Sequence, residues 1–268
     1  MDITLPRIMK NGNQVQSVVK ALAILECFSF QERELSVLDI SEKLDIPRPT
    51  VSRLAGTLCQ KGYLQQDLSN SKYSLGMKLF HLGSIVEHDK ELQSTALPIL
   101  KNLRDEFGET TYMDIVDESE RICIISLEGN HDVRSIVPIG QRSPLHAGAD
   151  GRVLLSSFDE HELDSFLTET NLDSFTSKTI TDKQQLKEMV RQIREKGVAV
   201  SVEEFVCGSV AIACPVKDRT GQVVAGISLS VPVFRATEER LKKFKQSVIK
   251  AAAEISRALG YTKGSGGM

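Results

Sequence analysis

Apolar residues at Val15, Val18, Val19, Leu22, Leu25 and Phe28 follow the i, i+3, i+4, i+7 rhythm of an amphipathic helix, which predicts a helix over 15–30. Leu38, Ile40 and Leu44 space out a short second helix after Ser36. It breaks at Ile46-Pro47, because a residue that precedes proline is pushed out of the α region. A third helix is expected from Arg48 to Lys61. Val51, Leu54, Ala55 and Leu58 mark its apolar side, Arg48, Thr50, Ser52 and Arg53 crowd the other side of its first turns, and Gly62 stops it. Two strand-like runs, Tyr63-Leu64 and Lys72–Leu75, flank the polar turn 67–71 and predict a β-hairpin. A helix over 77–89 (Met77, Leu79, Phe80, Leu82, Ile85, Val86) lies too far along to join the trihelical core and reads as a connector.

Beyond it the pattern changes. A helix over 92–107 leads through Gly108 to two strands, Thr110–Val116 and Arg121–Leu127, joined by the turn 117–120. Further strands are predicted at Arg134–Pro138, Val198–Val202, Val210–Val216 and Val223–Val231, with helices over 151–157, 159–169, 182–196 and 236–259. A mostly antiparallel sheet with flanking helices makes an α+β or α/β sandwich, large enough to enclose a small-molecule cavity.

The length of 268 residues suits two compact units. With 41% hydrophobic and 26% charged residues the chain has the balance of a soluble globular protein, which excludes disordered, collagenous and coiled-coil classes. Five cysteines (Cys27, Cys59, Cys123, Cys207, Cys214) form no C-x-x-C pair, so neither a disulfide framework nor a paired zinc site is expected, and a reducing, cytoplasmic compartment fits. The N-terminus lacks the apolar core of a signal peptide, and no stretch approaches the roughly 18 apolar residues of a membrane span. The GSGGM after Lys263 reads as a linker or cloning remnant within a flexible tail over 261–268.

Net charge is -3, from 33 basic and 36 acidic residues, and by itself advertises no polyanionic partner. Its distribution does. Residues 47–75 carry Arg48, Arg53, Lys61 and Lys72 against Asp67 alone, a local +3. Helix, helix, turn, helix and hairpin is the order of a winged helix-turn-helix, whose third helix enters the DNA major groove. Arg48, Thr50, Ser52 and Arg53 then form the groove-facing set: arginine bonds guanine O6 and N7, and the hydroxyls reach base edges or phosphates. Lys72 and Tyr73 on the hairpin would meet the neighbouring backbone, and Gln16 and Ser17 would hydrogen-bond a phosphate. The ordinary alternative is a solvated, charged surface.

The stretch VQSVVKALAILECF…LSVLDISEKLDIPRPTVSRLAGTLCQKGYLQQD…KYSLG closely resembles the N-terminal domain of the IclR family of bacterial transcriptional regulators. IGQRSPLHAGADGRVLL and EEFVCGSVAIACPVKDRTGQVVAGISLSVP resemble two further blocks of that family, and the likeness spans residues 14–260. The resemblance implies a two-domain chain: a mostly α, winged helix-turn-helix domain at 14–76, a linker helix at 77–90 and a C-terminal α/β, GAF-like effector-binding domain at 91–260. It implies effector contacts at Ala149, Asp150, Ser201, Ala211, Ser228 and Ser230. Ser201 stands where an acidic residue often occurs, Ala211 where a cysteine or another small residue occurs, and Arg152 replaces the usual lysine. It further implies dimers of dimers. The PLHA block and the segment RATEERLKKF most resemble regulators of sugar-acid catabolism, so a sugar acid is the expected effector and repression the expected output.

The residues themselves are compatible with such a site. Small residues at 147–151 leave free N–H groups at a helix start, which favour an anion, and Asp150 is there either an N-cap or a group facing the ligand. Its carboxylate would oppose an acidic ligand but accept from a polyhydroxylated one. Ser228 and Ser230 share one face of their strand, either satisfied locally or lining a polar cavity. Met113 reads as core, and Cys207 and Cys214 as buried small hydrophobes. His81 and His88 on the connector are expected to face solvent or a partner subunit. His146 lacks a nucleophile elbow or an ordered triad, and there is no P-loop or dinucleotide fingerprint. No catalytic residue, metal or cofactor is expected. The partners are a double-stranded, palindromic operator, a small organic acid and a second copy of the chain, with no membrane. A cytosolic enzyme using His146 or Cys207, with an appended helical module, is the alternative. A regulator that needs no ligand would show a closed or filled cavity.

Overall fold

In the computed structural model, which describes residues 14–85 and 90–262, the first amphipathic stretch folds as α1 (Gln16–Glu26), followed by α2 (Val37–Leu44) and α3 (Arg48–Gln60). A capping box starts α2: Asp39 N–H donates to Ser36 Oγ (3.2 Å) and Ser36 N–H to Asp39 Oδ2 (2.8 Å). Asp45, in the left-handed conformation (φ 52°), ends α2, and Pro49 sits in the first turn of α3, where its missing N–H costs nothing. The hairpin β1 (Leu64–Gln66) and β2 (Tyr73–Leu75) follows, then α4 (Met77–Ile85). Ile24, Ile40, Val51, Ala55, Leu64 and Tyr73 close one core under the three helices and the hairpin. This is the winged helix-turn-helix expected from the sequence.

Two details differ. The buried face of α1 is formed by Ala23 and Ile24, with Cys27 just beyond its end, while Val15, Val18 and Leu22 are exposed. The apolar period was therefore wider than the surface that α2 and α3 cover. Met77, Phe80 and Ile85 of α4 are likewise exposed, as is His81. The readings made on the N-terminal leader, on Val86 and His88, and on the tail from residue 263 lie outside the described residues.

The second unit runs from residue 89. Its six strands are β3 (Thr110–Asp117), β4 (Glu120–Leu127), β5 (Arg142–Pro144), β6 (Ala199–Val202), β7 (Ser209–Lys217) and β8 (Val223–Pro232), in the order β5-β4-β3-β8-β7-β6, every pair antiparallel. Strand alternation gives the sheet two unlike faces. Met113, Ile212, Cys214, Ile227 and Leu229 pack against α5 (Lys90–Phe107) and α9 (Glu238–Ala258). The opposite face receives α6 (Gly148–Leu155), which is buried along its whole length, with α7 (Glu160–Glu169) and α8 (Lys183–Lys196) outside it.

The strand predicted at Arg134–Pro138 is not one. Its Ser135 carbonyl is taken by a side chain instead of a ladder, Thr110 Oγ1 donating to it (2.6 Å), and Arg235 Nη2 takes that of the preceding Val133 (2.7 Å). The edge position beside β4 belongs to β5, which the sequence reading missed. α6 begins three residues earlier than expected, with Ala147 as its N-cap, so Asp150 lies inside its first turn and is not the cap. No described helix is long and apolar enough to cross a membrane.

Candidate functional site

The exposed side of α3 carries the first candidate surface. Arg48, Ser52 and Arg53 are exposed and Thr50 half-buried. Val51 and Ala55 turn inward and hold the helix against the core, so its polar side is presented by packing rather than by chance. Neither the Arg48 nor the Arg53 side chain makes an ion pair or hydrogen bond among the described residues. Lys72 and Ser17 are exposed and Gln16 half-buried. Tyr73 is corrected: its side chain is 5% exposed and belongs to the core, while its backbone pairs with Leu35 (N–H to O, 2.8 and 3.0 Å). Of the two wing residues, only Lys72 presents its side chain at the surface.

The second candidate is a cavity of about 560 Å³ on the α6 face of the sheet, a size suited to a small metabolite. A rung across four strands supplies three of its wall residues. Thr110 on β3 pairs with Ser230 on β8, Ser230 with Ala211 on β7, and Ala211 with Ser201 on β6. Ser201, Ala211 and Ser230 line the cavity, as do Gly148 and Asp150 at the start of α6. Ser230 Oγ bonds Ser135 Oγ (2.7 Å) and lies 3.1 Å from Ser209 Oγ, a chain of hydroxyls along one wall. Ser228 sits one rung further in, paired with Tyr112, and donates to the Asp150 carboxylate behind the wall. Ala149 is fully buried among Val153, Ala211 and Ala213, so its side chain does not face the cavity.

Several groups in the wall went unread in the sequence. Arg121 Nη1 contacts Asp114 Oδ2 (2.5 Å) and Asp150 Oδ2 (3.2 Å), all three nearly inaccessible to solvent. Asp114 and Arg121 are diagonal neighbours across the β3–β4 register, which pairs Asp114 with Cys123. Burial drives the Asp114 carboxyl up to about 6; Arg121 pulls it down and Asp150 pushes it further up. Burial, followed by the Asp150 charge, also holds the Tyr112 hydroxyl well above its ordinary range. The alternation Thr110, Tyr112, Asp114 against Thr111, Met113, Ile115 was the available signal, since a mid-strand aspartate on the polar side requires a partner.

Arg152, noted only as a replacement for lysine, is fully buried. It forms a forked pair with Glu204 and donates to Val200 O (3.0 Å). A lysine could not span both carboxylate oxygens and the carbonyl in one plane. That pair holds the loop 203–208, whose Phe205, Val206 and Cys207 line the cavity. Cys207 is exposed, not the buried small hydrophobe expected, whereas Cys214 and Met113 are core. Buried Glu109, gripped by Arg235 (2.6 and 2.8 Å), fixes the segment 131–137 that borders the opposite side of the cavity. His146 uses one ring nitrogen structurally, Nε2 lying 3.0 Å from Asp173 O, and its ring packs 5.8 Å from that of Phe175, while Nδ1 is buried without a partner among the described residues. Among the described residues, no group of His, Cys, Asp and Glu could hold a metal ion.

Comparisons with known proteins cover the same two units. Residues 17–68 match the family model described as the IclR helix-turn-helix domain, and residues 85–257 match that of the bacterial transcriptional regulator IclR C-terminal domain. The HTH-type transcriptional regulator XynR of Escherichia coli strain K12 is 35% identical over 247 residues, 92% of this chain and 98% of XynR. The HTH-type transcriptional repressor AllR of the same strain is 36% identical over 245 residues, 91% of this chain and 90% of AllR. The crystal structure of an IclR transcriptional regulator from Alicyclobacillus acidocaldarius superposes with a TM-score of 0.79 at 28% identity, covering 92% of this chain and all of that one.

Proposed function

This chain belongs to the IclR family of bacterial transcriptional regulators, and on that basis we propose that it is a repressor whose hold on a palindromic operator is set by a sugar acid bound in the cavity. As a member of that family it is a DNA-binding regulator and not an enzyme. The observation that carries the proposal is the open cavity of about 560 Å³ whose wall is built from hydroxyls and buried charges, since a ligand-independent regulator has no use for it.

In this reading residues 14–76 bind DNA, 77–90 form the linker helix and 91–260 sense the effector. Arg48, Thr50, Ser52 and Arg53 read the major groove, and Lys72, Gln16 and Ser17 hold phosphates. Ser201, Ser230 and Asp150 accept or donate to ligand hydroxyls, Ala211 leaves room for it, Ser228 steadies Asp150, and Ala149 contributes its backbone. The ligand carboxylate faces the free N–H groups at the start of α6. Val15, Val18 and Leu22 of α1, with Met77 and Phe80 of α4, are apolar and exposed in one protomer, which supports a homodimer, and dimers of dimers fit the family. A twofold dimer matches a palindromic site, and the protein works in the cytoplasm, where the DNA is. A ligand that prefers one arrangement of the effector domains shifts the spacing of the DNA-binding domains.

Fluorescence anisotropy with upstream promoter DNA, over a range of salt and with added sugar acids, tests this. A specific, salt-sensitive complex is expected, weakened by one or more of the acids. Arg53→Ala should weaken it by roughly 5- to 150-fold, or about 1–3 kcal/mol. Undiminished affinity in that variant removes Arg53 from the interface, and an operator complex indifferent to every sugar acid removes the effector class.

A further inference from the structure

The cavity changes character from its inner wall to its mouth. Asp150, Ser201 and Ser230 on the inner wall are polar and buried. Val133, Ile136, Val206 and Phe234 also line the cavity, and each is more than half exposed, Phe234 at 66%. Apolar side chains gathered at one exposed place, instead of scattered singly, mark a surface that is covered in use. The lip they form is tied together. Val233 N–H donates to Gly208 O (2.7 Å), Arg235 Nη2 donates to Val133 O (2.7 Å), and buried Glu109 grips the same guanidinium. Arg235 Cζ lies 5.0 Å from the centroid of the Phe234 ring, so a fixed cation backs the ring while most of its surface stays open.

An occupant has to satisfy both zones. A six-carbon acid of about 13 non-hydrogen atoms fills only part of a cavity of about 560 Å³, a size that encloses ligands of roughly twice that atom count. Whatever covers the lip must be apolar toward Phe234 and hydrated on its other side, because the mouth opens to solvent. An alkyl or aryl group meets the first condition and not the second. A pyranose ring meets both: the C–H bonds of one face, slightly positive, lie against the negative face of the aromatic ring, and the hydroxyls around its edge remain in water.

We propose that the lip is a second sugar subsite with Phe234 as its stacking platform, and that the effector is an acidic disaccharide. The inference rests on the sugar-acid reading of the cavity and extends it: the acid-bearing unit sits against the hydroxyls and the start of α6, and the second ring lies across the lip.

Isothermal titration of the full chain with gluconate beside cellobionate, maltobionate and lactobionate, and with galacturonate beside digalacturonate, provides the test. At least one disaccharide acid should bind about tenfold or more tightly than its monosaccharide counterpart, the gain expected from covering one aromatic side chain. Phe234→Ala should cut that ratio to less than about threefold and Phe234→Trp should keep it, both variants binding operator DNA as the parent does. Phe234 is exposed, so its truncation opens no hole in a core. Monosaccharide acids that bind as tightly as every disaccharide acid overturn the second subsite and leave the sugar-acid reading standing. An undiminished ratio in Phe234→Ala overturns the platform. Phenyl glucuronide binding more tightly than every disaccharide acid means that an aryl group covers the lip, and a variant that changes only the oligomeric state in sedimentation means that a second copy does; either result overturns the proposal. Binding of neither mono- nor disaccharide acids overturns the sugar-acid reading itself.

Discussion

Asp114 is a buried carboxylate whose ordinary value lies near 3.8 and whose folded value is about 6, because burial and Asp150 outweigh the pull of Arg121. A carboxyl raised on folding binds its proton more tightly in the folded chain. Its contribution to stability is therefore complete below about pH 4 and is lost as the pH rises through about 6. Asp114→Asn removes the surplus charge and leaves Arg121 paired with Asp150. The variant should be more stable than the parent at pH 7.5, by about 1–3 kcal/mol, with a smaller gain at pH 5. Urea midpoints at the two pH values check this, and a loss at both would show that the contact with Arg121 outweighs the crowding of carboxylates. Asp150 was legible in the sequence because it lies in a recognisable block, although its place inside the first turn of α6 was not. Asp114 was illegible as a site residue, since its meaning depends on a register with β4 and on a helix 36 residues away.

Elements were easier to read than their faces. β7 and β8 alternate cleanly, so the shared side of Ser228 and Ser230 followed from parity alone. The segment 134–138 has strand-like composition, but Thr110 captures its Ser135 carbonyl and Arg235 that of Val133 just before it, a tertiary effect that no local pattern carries. α1 was legible as a helix but not in its orientation, because apolar residues left for another surface look the same as those of a core. α6 shows the opposite case, where the local rule points the wrong way. Gly151 lies inside it, and alanine is the better helix former by about 1 kcal/mol. A Cβ at Gly151 would nevertheless lie 2.1 Å from the backbone oxygen of Leu145, so α6 packs at a distance that only glycine allows. Gly151→Ala should therefore lower stability by about 1–3 kcal/mol, despite the gain in propensity. Thermal denaturation followed by circular dichroism reads the sign directly.

At the scale of the molecule, the chain has one core beneath the winged helix-turn-helix and others around the six-stranded sheet. Separate cores predict separate unfolding. Calorimetry should show two transitions, and a sugar acid at about 100 times its Kd should stabilise the second unit by about 2.7 kcal/mol while leaving the first where it was. A single transition that moves as a whole would mean that the units unfold as one. The division into two units was readable from length and pattern, and the net charge of -3 hid a local +3 over residues 47–75.

The rung from Thr110 through Ser230 and Ala211 to Ser201 draws one residue from each of four strands, while their sequence neighbours, such as Ile212 and Leu229, face α5 and α9. Recognition and foldability are thereby written in alternate letters of the same segments. Point changes can retune the sensor one wall position at a time without touching the packing beneath it, so this scaffold can acquire a new signal while keeping its operator.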